Sequence, residues 1–194
     1  MTGILAVQGA FAEHAAMLDR LGAPWKLLRA REDFDESIDR VILPGGESTT
    51  QGKLLHSTGL FDPINEHIKA GKPVFGTCAG MILLAQRLEN DPTVYFGTLD
   101  ATVRRNAYGR QLGSFMATEN VTTFDVNGTA TGVIEDFPLV FIRGPFVAET
   151  GANARVTCET SCNVVALQQG NILATAFHPE ITDDMRIHKF FLSL

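Results

Sequence analysis

Hydrophobic positions in the first half of the chain form short apolar runs that alternate with longer amphipathic stretches. The short runs predict strands at 4–7, 25–28, 40–43 and 74–76. The longer stretches predict helices at 12–21, 48–56, 61–70 and 79–88. Strands that alternate with helices favour right-handed βαβ units. The expected fold is a three-layer, doubly wound α/β domain whose mostly parallel sheet has helices on both faces.

The pattern changes near Asp91. Residues 93–126 are rich in Thr, Val, Phe and Gly, with turn signals at Tyr108-Gly109 and Asn127-Gly128, so we expect a small antiparallel excursion at one end of the main sheet. Further strands are predicted at 139–142, 164–167 and 172–177, and a terminal helix at 183–192. The sequence has no internal repeat, low-complexity tract or linker, which predicts a single domain over residues 1–194.

Composition narrows the function classes. Of the 194 residues, 45% are hydrophobic and 20% charged, which is typical of a globular protein. The net charge of -6 and the scattered basic residues argue against a nucleic acid ligand. No apolar stretch approaches the ~18 residues of a membrane span, and no signal peptide is expected. Three cysteines at irregular spacing do not form a disulfide framework, so we expect a cytoplasmic protein.

Two groups of potential metal ligands are interpreted as structural. Cys158 and Cys162 form a C-x3-C pair, but a zinc site needs about four ligands and no further Cys or His is close in sequence. Four histidines lie in predicted helices: His14, His56, His67 and His188. They are expected to lie on the surface, or in the core with their ring nitrogens hydrogen-bonded. No metal site is predicted.

The segment Gly76-Thr77-Cys78-Ala79-Gly80 lies between a predicted strand and a predicted helix. It has the form G-x-nucleophile-x-G, in which the nucleophile occupies a strained strand-to-helix turn and the glycines avoid clashes. At the amino end of the helix, the helix dipole and unpaired N–H groups would favour the Cys78 thiolate. The alternative is a buried structural cysteine. The two glycines and the context favour a nucleophile.

His178-Pro179-Glu180 follows the last predicted strand and could supply the base. Pro179 disfavours a helical conformation for His178, and in extended chain residues two apart point to the same side. Glu180 could then hold the imidazole as the acidic member of a catalytic triad does. Because parallel strands present their carboxyl ends at one edge, His178 and Cys78 are expected to meet there.

The segment 43–49 (LPGGEST) ends a strand in paired glycines and enters a helix that Ser48 is expected to cap. Glycines allow backbone N–H groups to approach a ligand closely, which suits an oxyanion hole. The N–H of Ala79 is the expected second donor. A phosphate-binding loop is the rival interpretation, but neither G-x-x-x-x-G-K-[ST] nor G-x-G-x-x-G is present.

Taken together, these segments resemble the triad glutamine amidotransferases, and within them the branch formed by glutaminase subunits of pyridoxal 5′-phosphate synthase. The similarity spans essentially the whole chain. It is carried by LAVQGAF at 5–11, LPGGESTT at 43–50, GTCAGMILL at 76–84, RRNAYGRQ at 104–111, FIR at 141–143 and FHPEIT at 177–182. One departure is Met116, which stands where this branch usually has glutamate.

The resemblance implies a role for each site residue. Cys78 would attack the γ-carboxamide of L-glutamine, His178 would transfer protons, and Glu180 would orient His178. Gly46 and Ala79 would form the oxyanion hole. The residues implied to bind the substrate are Gly45, Gly46, Glu47, Ser48, Arg105 and Arg143. Arginine is well suited to bind a carboxylate because its planar guanidinium can donate two parallel hydrogen bonds to the two carboxylate oxygens.

The resemblance also implies a partner, a synthase subunit that combines the ammonia with a pentose phosphate and a triose phosphate in a larger hetero-oligomer. The segment Gln8-Gly9-Ala10 is hypothesised to couple docking of this partner to the oxyanion hole. No cofactor is expected, since pyridoxal 5′-phosphate would be the product of the complex.

Three alternatives stay open at this point. The glutaminase could serve another acceptor, as in the imidazole glycerol phosphate or guanylate synthase systems. A non-hydrolytic protein with Cys78 as a redox sensor would need no His178-Pro179-Glu180. A cysteine peptidase would fit less well with two arginines in the pocket.

Overall fold

Twelve strands and five α-helices, numbered in chain order, occur in the residues that the computed structural model describes, which are 1–105, 114–161 and 163–194. The strands are β1 (Thr2–Leu5), β2 (Trp25–Leu28), β3 (Arg40–Leu43), β4 (Val74–Thr77), β5 (Ala85–Leu88), β6 (Leu99–Arg104), β7 (Ser114–Phe124), β8 (Ala130–Ile142), β9 (Phe146–Thr150), β10 (Arg155–Thr160), β11 (Asn163–Gln169) and β12 (Ile172–Thr175). The helices are α1 (Phe11–Arg20), α2 (Ser48–Ser57), α3 (Phe61–Lys69), α4 (Ala79–Leu84) and α5 (Arg186–Phe191).

The main sheet has the strand order β2-β1-β3-β4-β12-β11-β9-β6-β5, with β10 paired to β11. The first five strands in this order are parallel, and β1, β4 and β12 are buried along their whole length, as expected for strands covered on both faces. Leu43 pairs with Gly76, and Thr175 pairs with Thr77. The carboxyl ends of β3, β4 and β12 therefore lie side by side. The predicted mostly parallel α/β sheet is confirmed.

The antiparallel excursion is the two-stranded sheet β7-β8. Its hairpin turn lies at the predicted Asn127-Gly128, where Gly128 has a φ of 82°. The other predicted turn, Tyr108-Gly109, falls outside the described residues. Met116, on β7, is 72% exposed, so this departure from the resembled family leaves the core unchanged.

Three details of the prediction are wrong. The helix predicted at 79–88 ends at Leu84, because residues 85–88 form β5 and pair with β6. This pairing overrides the good helix propensity of the sequence AQRL. The residues of β6, expected in the antiparallel excursion, belong instead to the main sheet, where β6 is parallel to β5. Strands β9 and β10 were not predicted, since neither alternates strictly between buried and exposed positions and neither is a continuous apolar run.

Helices α1 and α2 have ten residues each, far fewer than the ~20 of a bilayer span. None of the helices in the described ranges is long and apolar enough to cross a membrane.

Candidate active site

Cys78 occupies the turn between β4 and α4, in a strained conformation with φ 49° and ψ -100°. The flanking glycines are sterically required. A Cβ on Gly76 would lie 2.7 Å from the carbonyl carbon of Gly80, and a Cβ on Gly80 would overlap the backbone oxygen of Leu43. The Cys78 N–H donates to the Thr175 carbonyl at 2.7 Å, which ties the turn to β12. The predicted strained strand-to-helix turn is therefore present, with Cys78 at its tip.

His178 and Glu180 lie against this turn. Nδ1 of His178 is 2.7 Å from Oε1 of Glu180, and the imidazole also hydrogen-bonds Cys78. Both side chains are buried. Burial opposes the charged form of His178, but the hydrogen bonds to Cys78 and Glu180 and the charges of both groups outweigh it. They raise the pKa of His178 to about 10. The site therefore favours an imidazolium beside the thiol.

The backbone around Glu180 differs from the expected extended chain. Pro179–Ile181 forms a short 3-10 turn, and His178 precedes it with φ -108° and ψ 86°. Proline is favoured at the first position of such a turn because its φ is already fixed. The His178–Glu180 contact is thus as predicted, but a turn creates it.

The paired glycines of the 43–49 segment lie against these side chains. A Cβ on Gly45 would overlap Cε1 of His178 and stand 3.4 Å from Cβ of Cys78. The N–H of Gly45 donates to Oγ1 of Thr77 at 2.9 Å, and its carbonyl accepts from the Ala10 N–H at 2.9 Å. Ala79 is the first residue of α4, where N–H groups have no acceptor within the helix.

Helix α2 begins with a cap one residue earlier than predicted. Glu47, not Ser48, is the cap, because Glu47 is extended and its Oε1 accepts from the Thr49 N–H at 3.2 Å. Ser48 is the first helical residue and is buried, whereas Glu47 is exposed. The Glu47 N–H donates to Oε1 of Gln8 at 2.8 Å.

The two arginines have different environments. Arg105 pairs with Asp91 at 3.2 Å, donates to the Tyr95 hydroxyl at 3.1 Å and reaches Oγ1 of Thr49 at 3.5 Å. Arg143 is exposed just after β8, with a φ of 47°. Within the described ranges, no hydrogen bond or ion pair joins either arginine to the triad.

Several buried polar side chains around Cys78, His178 and Glu180 were not predicted from the sequence. The Thr77 hydroxyl and the rings of His14 and His188 are buried and connected by hydrogen bonds of 3.2 Å and 2.9 Å. His14 and His188 are core residues, as expected, but their sequence separation of 174 hid their contact. Thr77 was recognisable only by its position beside Cys78.

Cys158 is buried and free, and burial, with the charges of Glu119 and Glu159, raises the pKa of its thiol to about 12. Such a thiol is unreactive near neutral pH, consistent with its structural interpretation. Cys162 lies outside the described residues.

Comparison with known proteins places this site in a family. The chain is 75% identical over 194 residues to "Pyridoxal 5'-phosphate synthase subunit PdxT" of Bifidobacterium longum, and both chains are covered completely. It is 71% identical to the protein of the same name from Bifidobacterium adolescentis, again with complete coverage of both. A crystal structure described as a glutamine amidotransferase superimposes with a TM-score of 0.88 at 39% identity, covering 99% of this chain and 97% of the other. Residues 4–194 match the SNO glutamine amidotransferase family, to which this chain therefore belongs.

Proposed function

We propose that this protein hydrolyses L-glutamine to glutamate and ammonia and supplies the ammonia to the acceptor subunit of a pyridoxal 5′-phosphate synthase. The observation that carries the hydrolysis is the contact of Cys78 with a buried His178 that Glu180 holds at 2.7 Å. The choice of acceptor is supported by the two bifidobacterial relatives of more than 70% identity, both named as synthase subunits.

The reaction follows from the geometry of the triad. The Cys78 thiolate attacks the γ-carboxamide carbon, and the N–H groups of Gly46 and Ala79 stabilise the oxyanion that forms. The C–N bond then breaks as the His178 imidazolium gives its proton to the departing nitrogen, leaving a glutamyl thioester and ammonia. Water, deprotonated by His178, attacks the thioester and releases glutamate and the thiol. Glu180 keeps the imidazole oriented through both steps.

The substrate is held at the mouth of this site, by Gly45, Gly46, Glu47, Ser48, Arg105 and Arg143. Arg143 is the better candidate for the α-carboxylate, because Asp91 already neutralises Arg105. Replacing Arg143 with Ala should raise the KM for glutamine about 10- to 100-fold, the cost of one charge-assisted contact. Arg104→Ala is the control, since Arg104 pairs with Glu89. Equal KM values for the two variants would remove Arg143 from the site.

The contacts of Gln8 and Ala10 support the proposed coupling to the partner. Both residues hydrogen-bond the segment 45–47, so movement of residues 8–10 would shift the oxyanion loop. Direct transfer of ammonia within a hetero-oligomer is chemically reasonable, because ammonia released into neutral water becomes protonated and loses its nucleophilic lone pair. A free thiol nucleophile also fits a reducing cytoplasm, where we propose that the chain works as one domain without a cofactor of its own.

Glutamate release from glutamine tests the proposal, measured for wild type, Cys78→Ala and Cys158→Ala, with and without an acceptor subunit. Cys158→Ala is the matched control because it removes a buried thiol that lies on β10, outside the proposed triad. We expect hydrolysis to require Cys78, to survive loss of Cys158 and to increase with the acceptor. Hydrolysis that persists in Cys78→Ala would contradict the mechanism. A hydrolysis rate that does not change when the acceptor subunit is added would contradict the proposed partner but not the proposed triad.

A further inference from the structure

The carboxylate of Glu180 is buried, with only one of its two oxygens hydrogen-bonded to another described residue. Its side chain has no solvent exposure, and its hydrogen bond to His178 uses only Oε1. Oε2 has no hydrogen-bond partner among the described residues. A buried carboxylate is costly unless donors or opposite charges surround it. Groups other than His178 that face Glu180 are therefore needed to stabilise its buried carboxylate.

Two such groups are present, Thr77 and His14. Oγ1 of Thr77 is 3.5 Å from Oε1 of Glu180, and Nε2 of His14 is 3.7 Å from Oε2. The same His14 nitrogen is 3.2 Å from the Thr77 hydroxyl. The other ring nitrogen of His14 is 2.9 Å from Nε2 of His188. Four side chains thus form a continuous buried path, His188–His14–Thr77–Glu180.

The directions of these hydrogen bonds can be deduced. The Thr77 oxygen has one O–H to donate and two lone pairs, one of which accepts the Gly45 N–H at 2.9 Å. Glu180 can only accept, so the Thr77 O–H points to it. His14 must then donate from Nε2 to the remaining lone pair of Thr77.

The hydrogen bond between His188 and His14 has the same donor-to-acceptor direction as the bonds from His14 to Thr77 and from Thr77 to Glu180. Burial, with the charges of His188 and His178, lowers the pKa of His14 well below its usual value, so His14 is neutral. With its proton on Nε2, His14 accepts at Nδ1 from the Nε2–H of His188. Nδ1 of His188, which has no partner in the described structure, is then an unpaired acceptor. The opposite direction would leave a buried N–H unpaired, which costs more.

We propose that Thr77 and His14 are positioning residues of the glutaminase, which direct hydrogen-bond donors from His188 through His14 and Thr77 toward Glu180. This inference rests on the proposed function. Thr77 also has a second role, because its hydroxyl oxygen accepts a hydrogen bond from the N–H of Gly45 in the oxyanion loop. One side chain thereby fixes the spacing between the acidic member of the triad and the loop that receives the substrate oxygen.

Kinetics of paired variants test the inference. Thr77→Val removes the hydroxyl at nearly constant volume, Thr77→Ser keeps it, and Thr123→Val is the control. Thr123 is also a buried threonine, but it bonds Thr131 on the β7-β8 hairpin. We expect Thr77→Val to lower kcat about 10- to 100-fold, as loss of a group that orients a functional side chain commonly does, with KM within about twofold. Thr77→Ser should restore most of the rate.

The His14 variants give a second comparison. His14→Gln can still donate where Nε2 does, whereas His14→Phe cannot. We expect kcat to depend on whether the side chain at position 14 can donate a hydrogen bond. The kcat of His14→Gln should therefore be well above that of His14→Phe. Equal kcat values for the donor and non-donor variants would show that both residues only pack against their neighbours, and would overturn the inference.

One measurement is independent of activity. Nitrogen NMR of ¹⁵N-histidine-labelled protein near neutral pH should show a neutral His14 ring with the proton on Nε2, hydrogen-bonded at Nδ1. A proton on Nδ1 would overturn the assigned direction. If wild-type protein fails to hydrolyse glutamine while this tautomer is found, the proposed function fails and the hydrogen-bond path remains.

Discussion

Gly45 lies so close to His178 that a Cβ on Gly45 would overlap Cε1 of the imidazole and stand 2.8 Å from its Nδ1. Gly45→Ala should therefore displace His178 from Cys78. Misplacement of a catalytic group by about 1 Å costs on the order of a hundredfold in rate, and we expect a loss of kcat of that size without unfolding. Steady-state glutamine hydrolysis and thermal unfolding measure the two effects. Gly132→Ala is the control, because among the described residues its Cβ would meet only Oγ1 of Thr123, at 3.5 Å. Similar rates for the two variants would contradict the account.

Gly9 adopts a φ of 104°, and a Cβ on it would overlap the carbonyl oxygen of Gly45. Gly9→Ala should therefore disturb the loop that contains the proposed oxyanion donor Gly46, and stimulation of glutamine hydrolysis by the acceptor subunit should be lost. Gly22→Ala also places a side chain at a positive φ, here 64°, but no atom of the described residues beyond its chain neighbours lies within 4 Å of the added Cβ, so it controls for a substitution at positive φ without a clash. Undiminished stimulation in Gly9→Ala would refute the coupling of residues 8–10 to the oxyanion hole.

Glu180 supports the charged form of His178 through a hydrogen bond and its negative charge. Glu180→Gln keeps the shape but removes the charge, so the pKa of His178 should fall from about 10 and the thiolate of Cys78 should lose its counterion. We expect kcat to fall by about 10²- to 10⁴-fold, the range for loss of a group that supports general acid–base catalysis. The rate of iodoacetamide reaction at Cys78 near neutral pH should decrease in parallel. An unchanged alkylation rate would show that Glu180 does not support the ion pair.

Buried neutral histidines make the fold sensitive to mild acid. Burial lowers the pKa of His188 to about 4, and the pKa values of His14 and His67 are lowered as well. The unfolded chain binds protons on these rings below about pH 6.5 and the folded protein does not, so the free energy of unfolding should decrease as pH falls from about 6.5 to about 4. His188 alone accounts for roughly 2 kcal/mol at about pH 5.

Urea unfolding at about pH 7 and about pH 5 measures this loss. His178 contributes in the other direction, because its raised pKa gives stability that is complete below about pH 6.5 and is lost as pH rises through about 10. His188→Phe should reduce the difference between about pH 7 and about pH 5. Equal free energies of unfolding for the wild type at the two pH values would contradict the assignment of these histidines as neutral.

The sequence was most informative where local geometry restricts the residue type. The Cys78 turn was predictable because Gly76 and Gly80 face backbone atoms that exclude any side chain. The contact between His178 and Glu180 was also predictable, although a 3-10 turn rather than extended chain produces it. The residues that mark these features are neighbours in sequence, although the atoms that exclude a side chain at Gly80 belong to Leu43 on β3.

Long-range features were not predictable. The path from His188 to Glu180 joins α5, α1, β4 and the turn after β12, and no periodicity connects these segments. Strand β5 was mistaken for helix because its partner β6 lies more than ten residues away in sequence. The two arginines proposed to bind the substrate were identified only from family resemblance, since an isolated arginine has no distinctive local pattern.

The most direct test of the central claim follows the amide nitrogen of glutamine. The protein is combined with a pyridoxal 5′-phosphate synthase acceptor subunit, a pentose phosphate, a triose phosphate, [amide-¹⁵N]glutamine and excess unlabelled ammonium, and the product is analysed by mass spectrometry. The account predicts ¹⁵N in the pyridine ring of pyridoxal 5′-phosphate, and loss of the label with Cys78→Ala. Product formed only from unlabelled ammonium with the wild-type protein would contradict the claim that this chain supplies the nitrogen.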